Sequence, residues 1–531
     1  MLTPADPVPV PFRGERSARG PLTLGQLNTA KWLEDAPYTP AARLDQRLPV
    51  PPGTPLPDVV AALSALLARH EALRSRYILG DPGEQHVLAA GEVPLAIFRV
   101  TNDSSPDEVA AELAALGREK PIDPAVDSPV RFCAAVRDDA VAVLVAVYSH
   151  LAVDFQALMV LARDFADPPA GAPAVQPLDR AAAEASPSRR RRQDQALRHW
   201  VRHLSAAPAH LYARPRDSAG RGSGACGMSS AAAAHALDHI AARTRVSRPT
   251  IVMAALCALL AHRTGYGTLR FVMLSANRFE SDLRDYVGTL AQSTYVALDT
   301  AGAGFDELVR RCFGAVLQAG VNGAYHVYRQ HERSAEINAE RGIAPSFEPL
   351  FNSVVVDTRG FDPPPPRPAP APTRLAWMDL PPTDILLRFD LGRVDDELVA
   401  RVWTGDTGRV TRGEATDLLL ALERLLVTAA RGDLDPPAVA RAVALPPLPR
   451  PDGWHLIDGC WIDLAEVQRL LDDALSPSAA RARVEDGRLT AYLADHLSAD
   501  AEGARARCRA LLAGRHAAMV PHRFVSAPPL H

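Results

Sequence analysis

The stretch VAVLVAVYSHLAVDFQALMVLARDF, residues 141–165, joins two apolar segments of different period through a short polar junction. The first segment, which ends at Tyr148, consists almost entirely of Val, Ala and Leu, a composition typical of a strand buried on both faces. In the second segment, Leu158, Leu161 and Phe165 recur at helical spacing. The stretch therefore predicts a buried strand that leads into an amphipathic helix.

The junction between these two elements carries a histidine and a carboxylate. Asp154 falls at the predicted start of the helix, where its side chain can accept hydrogen bonds from free backbone N–H groups. His150 follows the strand, where an imidazole near its reference pKa can accept a proton. Because a histidine followed four residues later by an aspartate is a common spacing, the spacing alone favours packing or capping over catalysis.

The composition of the chain excludes several classes of protein. Its 531 residues contain 58 Lys and Arg against 62 Asp and Glu, so the net charge of -4 does not indicate a nucleic-acid or membrane partner. The six cysteines are scattered, without the short paired spacings of a zinc site or the density of a secreted scaffold. The N-terminal residues 1–20 contain no apolar core of signal-peptide length, and no apolar run elsewhere has the length of a membrane span. We therefore expect a cytoplasmic protein.

Predicted helices and strands alternate on both sides of the opening stretch, which indicates an α/β fold built from α+β layers. A Pro/Ala-rich segment before the middle of the chain reads as a linker, and its run of four arginines reads as a solvated helix start rather than an anion site. The predicted organisation is a flexible N-terminus (1–20), a first lobe (21–166), a linker (167–194), a second lobe (195–440) and a small C-terminal unit (450–531).

Several motifs together resemble those of one known family. SHLAVDF, residues 149–155, resembles the HHxxxDG motif of the condensation domains of nonribosomal peptide synthetases. PLTLGQ at 21–26 is similar to their PLSxxQ motif, RHEALRSRY at 69–77 to RHEALRTRF, and SANRF at 275–279 to the strand end that carries an arginine. The motifs occur in the family's order across about residues 21–435, so the chain resembles a free-standing condensation domain.

This resemblance implies two chloramphenicol-acetyltransferase-like lobes in a V, with a tunnel between them that carrier-protein thioesters enter from opposite ends. It implies that His150 orients the acceptor amine and accepts its proton. It assigns a structural role to Asp154, paired with Arg278, and a supporting role to Ser149, which replaces the first histidine of the motif. The phosphopantetheine arm of the carrier is then the substrate carrier, and no bound cofactor is expected.

Three departures from the family pattern fall on residues that we assign to the tunnel and the substrate. Phe155 replaces the glycine of the motif, and its benzyl group could narrow the tunnel or force another backbone angle. Gln292 lies in a segment that differs from the family's GFFVN, and Trp403 begins one that differs from its YNxxLF. We predict no metal site, because the histidines at 70, 203, 262 and 326 have no ligand spacing.

The C-terminal unit carries a second resemblance. LIDGCWIDLAEV at 456–467 is similar to the IRGxRIELxEIE motif of adenylation domains, and EDGRLTAYLADH at 485–496 to a later strand of the same small subdomain. The large adenylation subdomain and its ATP motifs have no counterpart in the sequence, so this truncated subdomain is not expected to activate amino acids. It is expected either to dock a carrier protein or a stand-alone adenylation enzyme, or to be a remnant that covers apolar surface.

The resemblance predicts an acyltransferase of natural-product, for example antibiotic, biosynthesis. It would join an acyl or aminoacyl thioester on an acyl or peptidyl carrier protein to a small amine, or an alcohol, to give an amide or an ester. Two alternatives stay open. An acyl-coenzyme A-dependent transferase would share the HxxxD pattern, although the DFGWG element of those relatives is not found. A catalytically silent scaffold that binds carrier proteins is favoured by Phe155 and by the tail.

Overall fold

A computed structural model describes residues 2–36, 39–100, 105–171, 173–214, 222–345, 348–365, 370–381 and 385–526. The chain divides into two compact units that interleave in sequence. The first comprises Met1–Leu197, Ser275–Gln292 and Asn322–Gln330, and the second comprises Arg198–Leu274, Ser293–Val321 and His331–His531. The predicted lobes were continuous in sequence, whereas two segments of the predicted second lobe belong to the first unit.

The first unit contains a five-stranded and a three-stranded sheet with helices. In chain order its elements are β1 (Thr3–Arg13), β2 (Ala18–Pro21), α1 (Leu24–Asp35), β3 (Arg43–Leu48), α2 (Leu56–Arg69), β4 (Ser75–Ile78), β5 (Glu84–Val87), β6 (Ala90–Arg99), α3 (Pro106–Arg118), β7 (Val130–Arg137), β8 (Ala140–Ser149), α4 (Phe155–Ala166), α5 (Pro177–Glu184) and α6 (Pro187–Leu204), which continues into the second unit. The strand orders are β1-β6-β7-β8-β3 and β2-β5-β4.

The strand and helix predicted from the opening stretch are β8 and α4. Val143, Val145 and Val147 of β8 pack in one hydrophobic cluster with Val109 and Leu113 of α3. The alternate side chains of β8, which point to the other face of the sheet, are also fully buried at Leu144, Ala146 and Tyr148. Burial on both faces explains why the strand is a continuous apolar run.

The prediction of a flexible N-terminus over residues 1–20 is wrong. Residues 3–13 form β1, which pairs antiparallel with β6 at the edge of the five-stranded sheet and buries Val10 and Phe12. The prolines of TPADPVPVPFR argued against a strand. Proline has no backbone N–H group to donate to a neighbouring strand. An edge strand tolerates this because no strand lies on its outer side to accept such a hydrogen bond.

The prediction of a linker over residues 167–194 is also wrong for most of that segment. Two helices, α5 and α6, occupy it, and α5 begins with a capping box formed by Gln176 and Asp179. The four arginines lie within the first turns of α6, as the solvated-helix interpretation expected. Arg189 pairs with Glu280, which also accepts a hydrogen bond from Arg180 at 3.2 Å. These long-range ion pairs hold a segment whose composition alone indicates a linker.

The second unit is built around a seven-stranded mixed sheet of order β11-β10-β12-β14-β15-β9-β13. Its elements are β9 (Ser223–Ser230), α7 (Ala231–Thr244), α8 (Arg248–Thr264), β10 (Thr268–Ser275), β11 (Gln292–Asp299), α9 (Phe305–Val321), α10 (Val327–Arg341), which begins in the first unit, β12 (Leu350–Ser353), β13 (Arg374–Leu380), β14 (Leu387–Val394), β15 (Leu398–Thr404), α11 (Arg412–Ala429) and α12 (Pro436–Val443).

Helix α8 is buried along most of its length. It packs with residues of α7, α9 and α11 in one large core. Among the described residues, no single helix has the length and apolarity needed to cross a membrane. Only α7 and α8 taken together meet that criterion, and they are bent by 101° relative to each other.

Residues 450–526 form an α+β region within the second unit, and the last five residues of the predicted C-terminal unit lie outside the described part of the chain. The region contains β16 (Trp454–Ile457), β17 (Cys460–Asp463), α13 (Leu464–Leu475), β18 (Ala480–Glu485), β19 (Arg488–Leu493), α14 (Ala501–Ala510) and β20 (Arg523–Ser526). Its hydrophobic core includes Ala209 and Ile343, which come from outside the region. The region therefore packs onto the rest of its unit.

Segment 275–292 of the first unit passes close to α1 at Gly25. A Cβ atom on Gly25 would overlap the carbonyl oxygen of Thr289 and lie 2.7 Å from the Cα atom of Leu290. We expect Gly25→Ala to lower the free energy of unfolding by about 1–3 kcal/mol, because backbone cannot easily make room. Differential scanning calorimetry should record a lower melting temperature.

The matched control for this prediction is Gly314→Ala. Gly314 lies within α9, and nothing stands within 4 Å of its Cβ position. Its replacement should leave the melting temperature unchanged or raise it, because alanine favours a helix. A melting temperature of Gly25→Ala equal to that of the wild type would contradict the prediction.

Candidate active site

The candidate site is built at the turn between β8 and α4. Asp154 is the N-cap residue of α4, and its Oδ1 atom accepts a hydrogen bond of 2.9 Å from the backbone N–H of Ala157. This contact satisfies one of the N–H groups that the first turn of a helix leaves free. The capping role expected from the sequence position is therefore present.

The same carboxylate has two further donors from the returning segment 275–292. Arg278 Nη2 donates to Asp154 Oδ1 at 2.6 Å, and the backbone N–H of Leu290 donates to Oδ2 at 3.0 Å. The Arg278 and Asp154 side chains are 5% and 4% exposed. With three donors, one of them charged, this buried carboxylate is well satisfied and the turn before it is held in place.

Arg278 also organises the backbone that follows it. Its Nη1 atom donates to the carbonyl oxygens of Leu283 at 3.2 Å and Tyr286 at 2.7 Å, and its Nη2 atom donates to that of Gly288 at 3.1 Å. The guanidinium carbon stands 5.5 Å from the centre of the Tyr286 ring. Arg278 therefore joins α4 to a loop that has little regular hydrogen bonding of its own.

Asn277 is a positioning residue that the sequence analysis missed. Its φ of 51° is left-handed, a conformation that asparagine tolerates better than most residues. The side-chain Nδ2 atom donates to the carbonyl oxygens of Leu290 and Gly323, both at 2.9 Å. An Asn directly before the motif arginine was the available signal, but its two partners are visible only once the chain has folded.

His150 follows the last residue of β8 and is half-buried. Its backbone N–H donates to the carbonyl oxygen of Ala42 at 2.8 Å, and its ring meets Trp32 edge-on with the centroids 6.0 Å apart. The Nδ1 atom is buried and has no hydrogen-bond partner among the described residues. Trp32, on α1, was not foreseen because nothing in its sequence context links it to the motif.

Burial lowers the pKa of His150 below its ordinary value of 6.5, and hydrogen bonding to the backbone of His150 and Val153 and the nearby Asp154 charge oppose this shift only in part. A histidine with a lowered pKa is neutral at pH 7, so the ring has a lone pair with which to accept a proton. A partly exposed imidazole at the end of a strand, with burial favouring its neutral form, is suited to a general base.

The two replaced motif positions fit the turn without distortion. Ser149 is buried, its Oγ accepts a hydrogen bond from the N–H of Leu151 at 3.4 Å, and its carbonyl accepts from Ala152 and Val153. Phe155 is the first residue of α4, does not have a positive φ, and leaves 39% of its surface exposed. The possibility that Phe155 forces another backbone angle is therefore not realised.

The other residues assigned to substrate binding have different surroundings. Gln292 is 1% exposed, and its Nε2 atom donates to the carbonyl oxygen of Tyr325 at 2.9 Å, so the side chain is used within the first unit. Trp403 belongs to the second unit, where it lies on β15 and its ring centre is 5.2 Å from the guanidinium of Arg388. Of the three, Phe155 is the most exposed.

Comparison with known proteins identifies the family. The Condensation domain family matches residues 53–359, more than half of the chain, and the chain therefore belongs to the condensation-domain family. This range contains the β8–α4 turn and Arg278. No curated protein sequence matches the chain significantly.

Solved structures support the same fold. The X-domain from teicoplanin biosynthesis is 23% identical with a TM-score of 0.59, covering 79% of this chain and 97% of its own. SgcC5 from Streptomyces globisporus is 20% identical with a TM-score of 0.56, covering 78% and 99%. A structure describing condensation domain-mediated chain release from the enacyloxin polyketide synthase is 20% identical with a TM-score of 0.58, covering 83% and 86%. The predicted α/β condensation-domain fold is thus confirmed.

The pairing of Arg278 with Asp154 can be tested by stability. Arg278→Ala should lower the free energy of unfolding by about 3–5 kcal/mol, because it leaves a buried carboxylate without its charged partner. The control is Arg329→Ala, which removes a pair of 3.0 Å to Asp194 whose side chains are 53% and 43% exposed. This exposed pair should contribute less than about 1 kcal/mol. Equal losses in calorimetry would contradict the assignment.

The lowered pKa of His150 can be measured by NMR of protein labelled on histidine. The resonance that disappears in His150→Gln should titrate with a midpoint below about 6.5. Because the neutral form is favoured in the folded state, the stability it contributes is present above that pH and is lost as the pH falls through the folded-state pKa. Trp32→Ala should move the midpoint upward by admitting water. A midpoint at or above the reference value would contradict the prediction.

Proposed function

We propose that this chain is a condensation enzyme of nonribosomal peptide or related natural-product biosynthesis. It would transfer an acyl or aminoacyl group from the phosphopantetheine thioester of a carrier protein to an amine, or less readily an alcohol, acceptor. Family membership supports the reaction class, and the single observation that carries the proposal is the place of His150 in the turn that ends at Asp154, whose carboxylate is satisfied by three donors.

The proposed step uses the lone pair of the His150 imidazole. The acceptor nitrogen attacks the thioester carbonyl carbon, and His150 accepts the proton that the nitrogen loses. The carbon–sulfur bond then breaks, and the proton passes to the departing sulfur, so the products are an amide and the free thiol of the arm. Asp154 takes no proton in this scheme, because three donors already occupy its carboxylate. Asp154 and Arg278 are therefore positioning residues.

The replaced motif residues are compatible with this activity. Ser149 keeps the turn through the hydrogen bond to Leu151, and Phe155 begins α4 in an ordinary backbone conformation. The partly exposed benzyl group of Phe155 would then limit which donors and acceptors fit near His150. We assign to Phe155 a role in substrate selection.

A second candidate function is a binding module without catalysis. The X-domain from teicoplanin biosynthesis, which is 23% identical to this chain, has also been solved in complex with OxyB, so a domain of this fold can bind another protein of its pathway. The exposed Phe155 in place of the motif glycine favours this reading. A coenzyme A thioester as donor is the third possibility, because His150 would accept the proton of the acceptor in the same way whichever thioester the acceptor attacks.

The C-terminal region fits either function as a docking element. Residues 450–526 pack onto the second unit through a core shared with Ala209 and Ile343. If its resemblance to the small adenylation subdomain reflects a common surface, a carrier protein or a separate adenylation enzyme is the expected partner.

The decisive experiment is single-turnover acyl transfer followed by intact-protein mass spectrometry. Purified protein is mixed with a panel of acylated carrier proteins and amines, and with the matching coenzyme A thioesters in parallel. Wild type should discharge the carrier with formation of an amide, and His150→Ala should be slower by about 10²–10⁴-fold. The control variant is His239→Ala, which removes an exposed histidine of α7 and should react at the wild-type rate.

Each other outcome selects a different function. Turnover that His150→Ala does not slow would reject His150 as the base. Turnover with coenzyme A thioesters alone would select the transferase. No turnover across the panel, together with carrier binding in a pull-down, would select the binding module. Phe155→Gly should change the range of accepted amines if the enzyme proposal holds.

A further inference from the structure

A buried group of two histidines and a glutamate lies in the second unit, whereas the β8–α4 turn belongs to the first. His210 Nδ1 is 3.2 Å from Glu348 Oε1 and 3.2 Å from His516 Nδ1. The side chains of His210 and Glu348 are 5% and 0% exposed, and that of His516 is half-buried. One ligand atom from each residue falls within 4.8 Å of the others.

The two separations of 3.2 Å match the spacing of ligands around a metal ion. Zinc binds imidazole nitrogen and carboxylate oxygen at about 2.0–2.2 Å, and two ligands of a tetrahedral site are then about 3.3 Å apart. A hydrogen-bonded cluster explains the same contacts less well. If His210 Nδ1 carries a proton, that one proton has to serve both Glu348 and His516. If His210 Nδ1 instead accepts a hydrogen bond from His516, the lone pair of His210 Nδ1 also faces the Glu348 carboxylate, which is unfavourable.

The second carboxylate oxygen provides independent support. Glu348 Oε2 is buried and has no hydrogen-bond partner among the described residues. A buried carboxylate oxygen without a donor costs free energy, and the positive charge of a bound cation would offset that cost. The ligand set consists of one glutamate and two histidines and contains no thiolate. Such a set suits a divalent ion such as Zn²⁺ better than copper(I), which prefers soft sulfur ligands.

We propose that His210, Glu348 and His516 form a zinc site that joins the C-terminal region to the rest of the second unit. His210 lies between two cores: its neighbour Ala209 belongs to the core of the C-terminal region, and Leu211 on its other side belongs to the core of the large sheet. His516 comes from the C-terminal region itself. An ion held by all three residues would fix that region where its core meets the larger one. The proposal does not depend on the proposed acyl transfer.

Binding is tested on the full chain after removal of metal with a chelator. Zn²⁺ is titrated in competition with a chromogenic chelator, and wild type should bind one tight equivalent. His516→Ala and Glu348→Gln should each weaken that binding by at least about tenfold. Zn²⁺ should raise the melting temperature of wild type, because the ion binds the folded form, and should raise it much less in the two variants.

The matched control is His239→Ala. His239 Nε2 is 3.2 Å from His235 Nε2 on α7, so it belongs to another close histidine pair, but this pair is exposed and no carboxylate joins it in a metal-binding group among the described residues. Its loss should leave the tight equivalent unchanged. Substitution with Co²⁺ adds a spectroscopic test, because a tetrahedral site should give intense visible absorption in wild type that His516→Ala loses.

Two results would overturn the proposal. One is a wild-type protein that binds no zinc in competition with the chelator, and the other is a His516→Ala variant that binds as tightly as wild type. His516 is half-buried at the edge of the cluster, so its replacement decides the question even if Glu348→Gln fails to fold. Circular dichroism of each variant before titration verifies that it is folded.

Discussion

The carboxylate of Asp154 is the interaction on which the candidate site depends. A buried charge is unfavourable unless donors surround it, and here the donors come from the first turn of α4, from Arg278 and from the backbone of Leu290. The last two lie more than one hundred residues further along the chain. The segment 275–292 must therefore return to the first unit for this charge to be satisfied, and this requirement explains why that later segment belongs to the first unit.

The same arrangement separates positioning from chemistry. His150 lies between a strand buried on both faces and a helix whose first residue is fixed by its cap, so its backbone has little freedom. Burial lowers the pKa of its ring, which favours the neutral form. A firmly held aspartate beside a histidine that can exchange a proton is what a site needs when one group must hold still and the other must react.

The parts of the fold that could be predicted from sequence are those with a local cause. The period change at residues 148–155 indicated β8 and α4, and the motif resemblance indicated Asp154 and Arg278 as partners. The misread segments have distant causes. Edge placement permits the prolines of β1, and the pair of Arg189 with Glu280 holds α6. Trp32 and the proposed zinc ligands His210 and His516, which are 306 residues apart, carry no spacing signal, and one partner of Asn277 lies 46 residues away.

The prolines of β1 have a consequence for solubility. Pro9 and Pro11 are two residues apart, so their backbone groups face the same side of the strand, which is the outer side. Val10 and Phe12 alternate with these prolines, and their N–H groups face β6. The outer side of the strand therefore offers carbonyl oxygens but lacks N–H donors at these positions. A strand from another molecule would find no matching ladder there, so the five-stranded sheet resists extension by intermolecular pairing at the edge where it would otherwise be most vulnerable.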